Sequence, residues 1–185
     1  MITKIISGGQ TGADRGGLDA AIHCELPHGG WCPKGRKAED GVIPDEYHLT
    51  EMLSAEYLAR TKANVIDSDA TVIFTYGPPS GGSLQTITYA HHLEKPYHEV
   101  DLSDTTQRQA VEEIMFWLAG DVELNDYDEY VACPPPLACI LNVAGSRESQ
   151  APGIQEAVFH LMVEVLISVN ITSEHFIRLG EAKIH

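Results

Sequence analysis

Within six residues, Ser7-Gly8-Gly9-Gln10-Thr11-Gly12 gathers three glycines, two hydroxyls and an amide, and Asp14-Arg15 follow at once. Glycine admits positive φ and lets a ligand approach the backbone closely. A helix opening just after such a loop leaves unpaired N–H groups and a positive dipole end directed at its contents. That is anion-binding chemistry. The spacing excludes two familiar versions of it. No Gly-Lys-Ser/Thr follows at the Walker distance, and the adjacent Gly8 and Gly9 break the G-x-G-x-x-G pattern. For this loop alone, a turn serving only chain reversal is the competing explanation.

Two further turns repeat the theme. Gly77-Pro78-Pro79-Ser80-Gly81-Gly82-Ser83 can present the N–H groups of Gly81 and Gly82 beside the hydroxyls of Ser80 and Ser83. Gly145-Ser146-Arg147-Glu148-Ser149 adds a guanidinium, which clamps an oxyanion through two N–H groups. A salt bridge from Arg147 to Glu148 or Glu156 is the alternative. Segment 29–41 differs, mixing Trp31, Lys34, Arg36 and Lys37 with Glu39 and Asp40. Trp31 offers a face for a flat heterocycle, or equally a cover for the sheet edge. The case for catalysis is thin. Asp14, Asp19, Glu39, Asp40, Asp67 and Asp69 fall near predicted strand ends, but no pair has spacing diagnostic of acid–base work. His91 and His92 point about 100° apart on a helix, so they cannot chelate as a simple pair. No Gly-x-Ser-x-Gly elbow and no convincing nucleophile is present.

These turns need a scaffold. Lys4-Ile5-Ile6-Ser7 is a short β-prone run, and a helix is predicted from about residue 14 to Pro27 with Leu18, Ala21, Ile22 and Leu26 on one face. A brief strand is expected near 47–52, then a helix capped by Ser54 with Leu58, Thr61 and Val65 in line. Residues 70–75 form the clearest strand, read as central and buried on both faces. A helix carrying Leu84, Ile87 and His91 follows, then a strand over 97–102. Asp104 caps the next helix, with Val111, Ile114, Met115 and Leu118 inward. Residues 139–144 read as another buried strand, and a long helix from about Pro152 carries Ile154, Val158, Leu161 and Val165. Segment 121–136, acidic and then proline-rich, reads as an irregular excursion, and the tail after Asn170 carries no readable pattern. The alternation predicts one domain over 1–185, an α/β, Rossmann-like, doubly wound, mostly parallel sheet with helices on both faces. Its ligand is expected at the carboxyl ends of the strands.

A chain of 185 residues, 43% hydrophobic and 21% charged, suits one globular core. Its net charge of −15 argues against nucleic acid as a partner. Yet five of its twelve basic residues (Arg15, Lys34, Arg36, Lys37 and Arg147) lie in or beside the glycine-rich segments, so a small anionic ligand is the expected partner. Four cysteines without a CxxC give neither a disulfide scaffold nor a zinc site. With no signal-peptide pattern, and apolar runs interrupted by proline or charge, a soluble, cytoplasmic protein without membrane contact is expected.

Residues 6–15, with Pro27-His28-Gly29-Gly30-Trp31-Cys32-Pro33-Lys34-Gly35-Arg36, closely resemble the molybdenum cofactor carrier family. Arg60-Thr61, Asn64-Val65, Asp67-Ser68-Asp69, Gly81-Gly82-Ser83, Lys95-Pro96-Tyr97 and residues 141–148 extend the likeness over most of 3–101 and 139–165. That family looks related to the Lonely-Guy-like superfamily, Rossmann-type proteins that bind nucleotides or nucleotide-derived ligands. The resemblance implies a homo-oligomer with a ligand site built by the glycine loops, and the molybdenum cofactor, a phosphate-bearing pterin, as cargo. One departure matters. The phosphoribohydrolases of that superfamily carry a glutamate shortly after their glycine-rich loop, whereas this chain has Ser83-Leu84-Gln85-Thr86. An amide cannot act as a general base. The expectation is therefore a binding site with no catalytic residue and no resident metal. Its expected members are Ser7, Gly8, Gly9, Gln10, Thr11, Gly12, Asp14, Arg15, Trp31, Lys34, Arg36, Gly81, Gly82, Ser83, Ser146, Arg147 and Glu148. A nucleotide N-glycosidic hydrolase with Asp14 or Asp40 as base, and a sensor of a nucleotide-derived signal, are the rival readings.

Overall fold

Alternating apolar strands and amphipathic helices give a parallel sheet here, as the pattern requires. The computed structural model describes residues 1–119 and 139–181, and side chains of 1–119 and 139–169. In chain order the elements are β1 (Ile2–Ile6), α1 (Ala13–His23), β2 (His28–Gly29), β3 (Trp31–Cys32), β4 (Lys37–Ala38), β5 (Gly41–Val42) and β6 (Thr50–Glu51). There follow α2 (Tyr57–Asp67), β7 (Ala70–Thr75), α3 (Gly81–His92), β8 (Tyr97–Asp101), α4 (Gln107–Ala119), β9 (Cys139–Gly145) and α5 (Ile154–Glu181). The main sheet runs β2-β1-β9-β7-β8 with every neighbouring pair parallel. The central strand is thus β9, not β7.

Strand periodicity divides the sheet into two chemically different faces. Ile5, Val72, Phe74, Leu141 and Val143 join Ala20 of α1, Ile114 and Trp117 of α4, and Ile154, Val158, Leu161 and Val165 of α5 in one buried core. Between them along the strands come Thr71, Thr75 and Asn142, all buried. The Asn142 amide donates to Thr71 Oγ1 at 3.3 Å. Helices α2 and α3 pack against each other and reach β9. Apart from Val65 of α2, their buried residues are also polar or small: Thr61 and Asn64 from α2, Ser83, Thr86 and Ala90 from α3. Of the α3 residues expected in line, Leu84 and His91 are exposed and Ile87 is half-buried; Leu58 of α2 and Ile22 of α1 are exposed as well.

Helix ends also differ from expectation in instructive ways. The cap of α4 is Thr106 rather than Asp104, because Thr106 and Gln109 form a reciprocal capping box: each backbone N–H donates to the other's side chain. Helix α2 begins at Tyr57, with Ser54 Oγ accepting the Glu56 N–H just before it. Helix α5 occupies the unplaced tail as far as Glu181. The 121–136 excursion lies outside the described residues. Among those described, no helix is long and apolar enough to cross a membrane.

Residues 31–51 form an annex with its own small core of Leu18, Cys32, Ile43 and Tyr47. Arg36 fastens it, donating to the carbonyls of Ile43, Pro44, Tyr47 and Leu49.

Candidate functional site

The order β1-β9-β7 brings the carboxyl ends of three strands side by side, so the three glycine-bearing turns meet. Between them lies a cleft of about 140 Å³. Its walls are Gly8, Gln10 and Asp14 after β1, Asn142, Ala144, Gly145 and Arg147 at the end of β9, and Gly82, Ser83 and Thr86 of α3. Helix α2 contributes Tyr57, Arg60 and Asn64.

The deep wall carries a buried ion pair. Arg60 Nη1 lies 2.7 Å from Asp14 Oδ2, and the Gln10 N–H donates to the same oxygen at 3.3 Å. Gly8 makes room for it: a Cβ there would stand 1.2 Å from Arg60 Nη1, so only glycine lets the guanidinium lie on the backbone. Two donors on this wall, Gln10 Nε2 and Arg60 Nε, are buried without an acceptor among the described residues.

The opposite wall is open and positive. Helix α3 has no side-chain cap, and among the described residues the N–H groups of Gly81 and Gly82 find no acceptor. Arg147 makes no ion pair among the described residues, and its guanidinium carbon lies 5.4 Å from the Tyr57 ring centroid. Neither expected acid takes it. Glu148 instead accepts the N–H groups of Gly153 at 2.5 Å and Gln155 at 3.0 Å, bracing the start of α5. Glu156 lies beside His160.

The β1–α1 loop proves less open than its glycines suggest. Four of its N–H groups already have protein acceptors: Asp14 for Gln10, the Gln10 side chain for Thr11, Gln155 for Gly12 and the Ser146 carbonyl for Ala13; those of Gly8 and Gly9 find none among the described residues. Gly12, at φ 86°, is pressed against the Ser146 carbonyl, 2.4 Å from where a Cβ would stand. Ser7 is fully buried and donates to the Val143 carbonyl at 2.6 Å. The β4–β5 turn clasps this loop from outside. Arg15 holds both oxygens of Asp40 at 2.6 and 2.8 Å, which keeps that carboxyl below the usual aspartate range. Glu39 accepts from Thr11 Oγ1, from the Ser149 hydroxyl at 2.5 Å and from the Ser149 N–H at 3.1 Å. Burial pulls the Glu39 carboxyl up, but these bonds outweigh it and hold it below the ordinary glutamate range.

Of the residues expected from sequence, the cleft therefore unites Gly8, Gln10, Asp14, Gly82, Ser83 and Arg147. Gly81 adjoins it at the start of α3. Gly9 and Ser146 serve the frame, through the carbonyl that takes Arg15 Nε and the one that takes Ala13. Arg36 fastens the annex, and Lys34 is exposed outside the cleft. Trp31 lines a neighbouring hollow with Lys4 and Asp67, its indole N–H donating to Asp67 at 2.6 Å.

Residues 5–125 match the family model of the circularly permutated YpsA SLOG family, cpYpsA. The chain belongs to that family. A crystal structure from Syntrophus aciditrophicus, described as a "putative molybdenum carrier protein", shares 40% identity with this cpYpsA member. The alignment covers 89% of this chain and 95% of that one, with a TM-score of 0.76. No curated protein matches. The α/β Rossmann-like fold and the carrier-like family read from the sequence are both borne out. Within this cpYpsA chain, sequence reasoning missed Arg60, Asn64 and Asn142 as wall residues. Arg60 and Asn64 stand four apart, on one face of α2. Polar groups on the inward side of an otherwise amphipathic helix were the available signal.

Proposed function

We propose that this protein binds and carries the molybdenum cofactor or a similar phosphate-bearing pterin or nucleotide-like ligand in the cytoplasm. The observation that carries the reading is Arg147, which makes no salt bridge among the described residues, feels Glu39 only at longer range, and lines the same cleft as the uncapped first turn of α3. Charge-assisted donors of this kind favour phosphate. The ligand's phosphate sits on Gly81, Gly82 and Ser83 with Arg147 over it. At about 140 Å³ the cleft is smaller than the ~300–1,000 Å³ of typical small-molecule sites, so it takes a head group and leaves the rest of the ligand at the rim. The relative's name supports the molybdenum side of this reading.

The test is mass and metal analysis of material released from purified protein, followed by titration of what is found. A phosphorylated pterin or nucleotide is the expected result, bound about 5- to 150-fold more weakly by Arg147→Ala, which corresponds to about 1–3 kcal/mol. Unchanged affinity in that variant overturns the assignment of Arg147. Release of ribose 5-phosphate from a nucleotide panel overturns the carrier reading in favour of a hydrolase.

A further inference from the structure

Gln10 is 4% exposed, and its amide orientation is fixed by chemistry rather than by assignment. Oε1 accepts two N–H groups, from Thr11 at 3.0 Å and from Glu39 at 2.9 Å. Flipping the amide would set its NH₂ against both donors. Nε2 therefore takes the other branch, where it is buried with no acceptor among the described residues. The clasp of Glu39 on Thr11 and Ser149, and of Asp40 on Arg15, holds the donor of that second N–H in place, so Gln10 has no slack to turn toward solvent. A buried donor without a partner is costly, and one on the wall of a cleft has a natural remedy in a ligand acceptor.

We infer that Gln10 is a specificity-determining residue that donates to an unprotonated acceptor on the bound ligand, and that the β4–β5 turn positions it through Glu39. The inference rests on the ligand-binding reading above. Two sources of acceptor share this chemistry: an oxo or ring-nitrogen atom of a heterocycle, and a phosphoryl oxygen. A group carrying hydrogen at that spot is rejected, because it meets a donor that cannot invert.

The probes are IMP, AMP and ribose 5-phosphate, titrated calorimetrically into the full chain and its variants. Gln10→Met removes the donor without adding charge. Gln10→Glu keeps the acceptor for Thr11 and Glu39 and replaces the donor by a second acceptor. If the partner is on the heterocycle, Gln10→Met weakens one nucleotide by about tenfold or more and spares ribose 5-phosphate, while Gln10→Glu inverts the order of IMP and AMP. If it is phosphoryl oxygen, Gln10→Met weakens all three probes alike. Gln10→Met within threefold of wild type for every probe overturns the inference, as does, should Gln10→Met not fold, a Gln10→Glu variant that leaves both the IMP-to-AMP ratio and the ribose 5-phosphate affinity unchanged. With Arg147→Ala still weakening the probes, either of those results leaves the ligand-binding reading intact. A wild-type chain that binds none of them overturns that reading, and this inference with it.

Discussion

Replacing Asp14 by Asn removes one charge from the Asp14–Arg60 pair and leaves the other where it was. The two side chains are 7% and 13% exposed, and their charged atoms are 2.7 Å apart. At an effective dielectric of about 20 the gross attraction is roughly 6 kcal/mol, most of it offset by the cost of taking both ions out of water. Removing one partner of a buried pair costs about 3–5 kcal/mol because the remaining charge stays uncompensated. Arg60 faces an open cleft, which places the cost near the lower end, at about 3 kcal/mol. For a chain of this size that is a loss of about 6–12 °C in Tm. The decisive assay is a double-mutant cycle by urea unfolding with Asp14→Leu, Arg60→Met and the pair together. The double variant should be more stable than either single one, since it leaves no buried ion behind. Single variants within about 0.5 kcal/mol of wild type, or a double variant equal to the sum of the singles, would refute the argument.

Other consequences are simpler to state. Gly8→Ala should reproduce the Asp14→Asn loss and add nothing to it, because its Cβ would displace the Arg60 guanidinium; additive losses in the double variant count against this. The Glu39 carboxyl is held below its ordinary value of 4.5, so its stabilisation is present above that pH and fades as pH falls through the lower folded-state value. Wild type should thus exceed Glu39→Gln in urea stability at pH 7, and the two should converge in acid. Thr106→Ala should cost about 1 kcal/mol in the same assay through loss of the capping box. The homo-oligomer implied by the family resemblance would pack on the exposed apolar side chains of α2 and α3, among them Leu58, Ile66 and Leu84. Light scattering should find Leu58→Glu monomeric and wild type larger, and a monomeric wild type rejects this.

The fold was legible because its signals are local. Val72, Phe74, Leu141 and Val143 form apolar strands, and Val158, Leu161 and Val165 recur at helical spacing, so both kinds of element declare themselves from short windows. What windows could not give was the partner of each element. The run Ala70–Thr75 is buried throughout, yet its threonines point to a polar face shared with Asn142, seventy-one positions from Thr71. Helix α3 inverted for the same reason: a polar interior takes Ser83 and Thr86 and turns Leu84 outward. The site was half legible. Glycine turns are visible in any sequence, whereas Arg60 becomes a wall residue only when α2 is laid across the end of β1. Arg36 misled because an arginine in a glycine-rich loop looks like an anion clamp. Here it binds carbonyls of its own annex.

The sequence points to the backbone amides of the β1–α1 loop as the anion site, and the hydrogen bonds of most of that loop favour the facing wall under the proposed function. A backbone N–H that already has a well-placed acceptor offers little to a ligand, since binding would only exchange one hydrogen bond for another. From Gln10 to Ala13 every N–H is in that position; the N–H groups of Gly8 and Gly9 find no acceptor among the described residues, but the Arg60 guanidinium, already neutralised by Asp14, lies over Gly8. Across the cleft neither objection applies. The first turn of α3 has open donors, Arg147 makes no salt bridge among the described residues, and Gly82 brings no side chain into the space. Under the proposed function the two sides would divide the work by charge: the α3 side would receive the anion, and the β1 side would present Gln10 as a directional donor on a neutralised ion pair. Hence Arg147→Ala and Gln10→Met should fail differently. The first should weaken every phosphate-bearing probe with a reduced dependence of affinity on salt, since it removes a charge. The second should leave the salt dependence as it is, since it removes only a dipole. Equal salt dependence in wild type and Arg147→Ala would return the anion to the β1 side and undo the division.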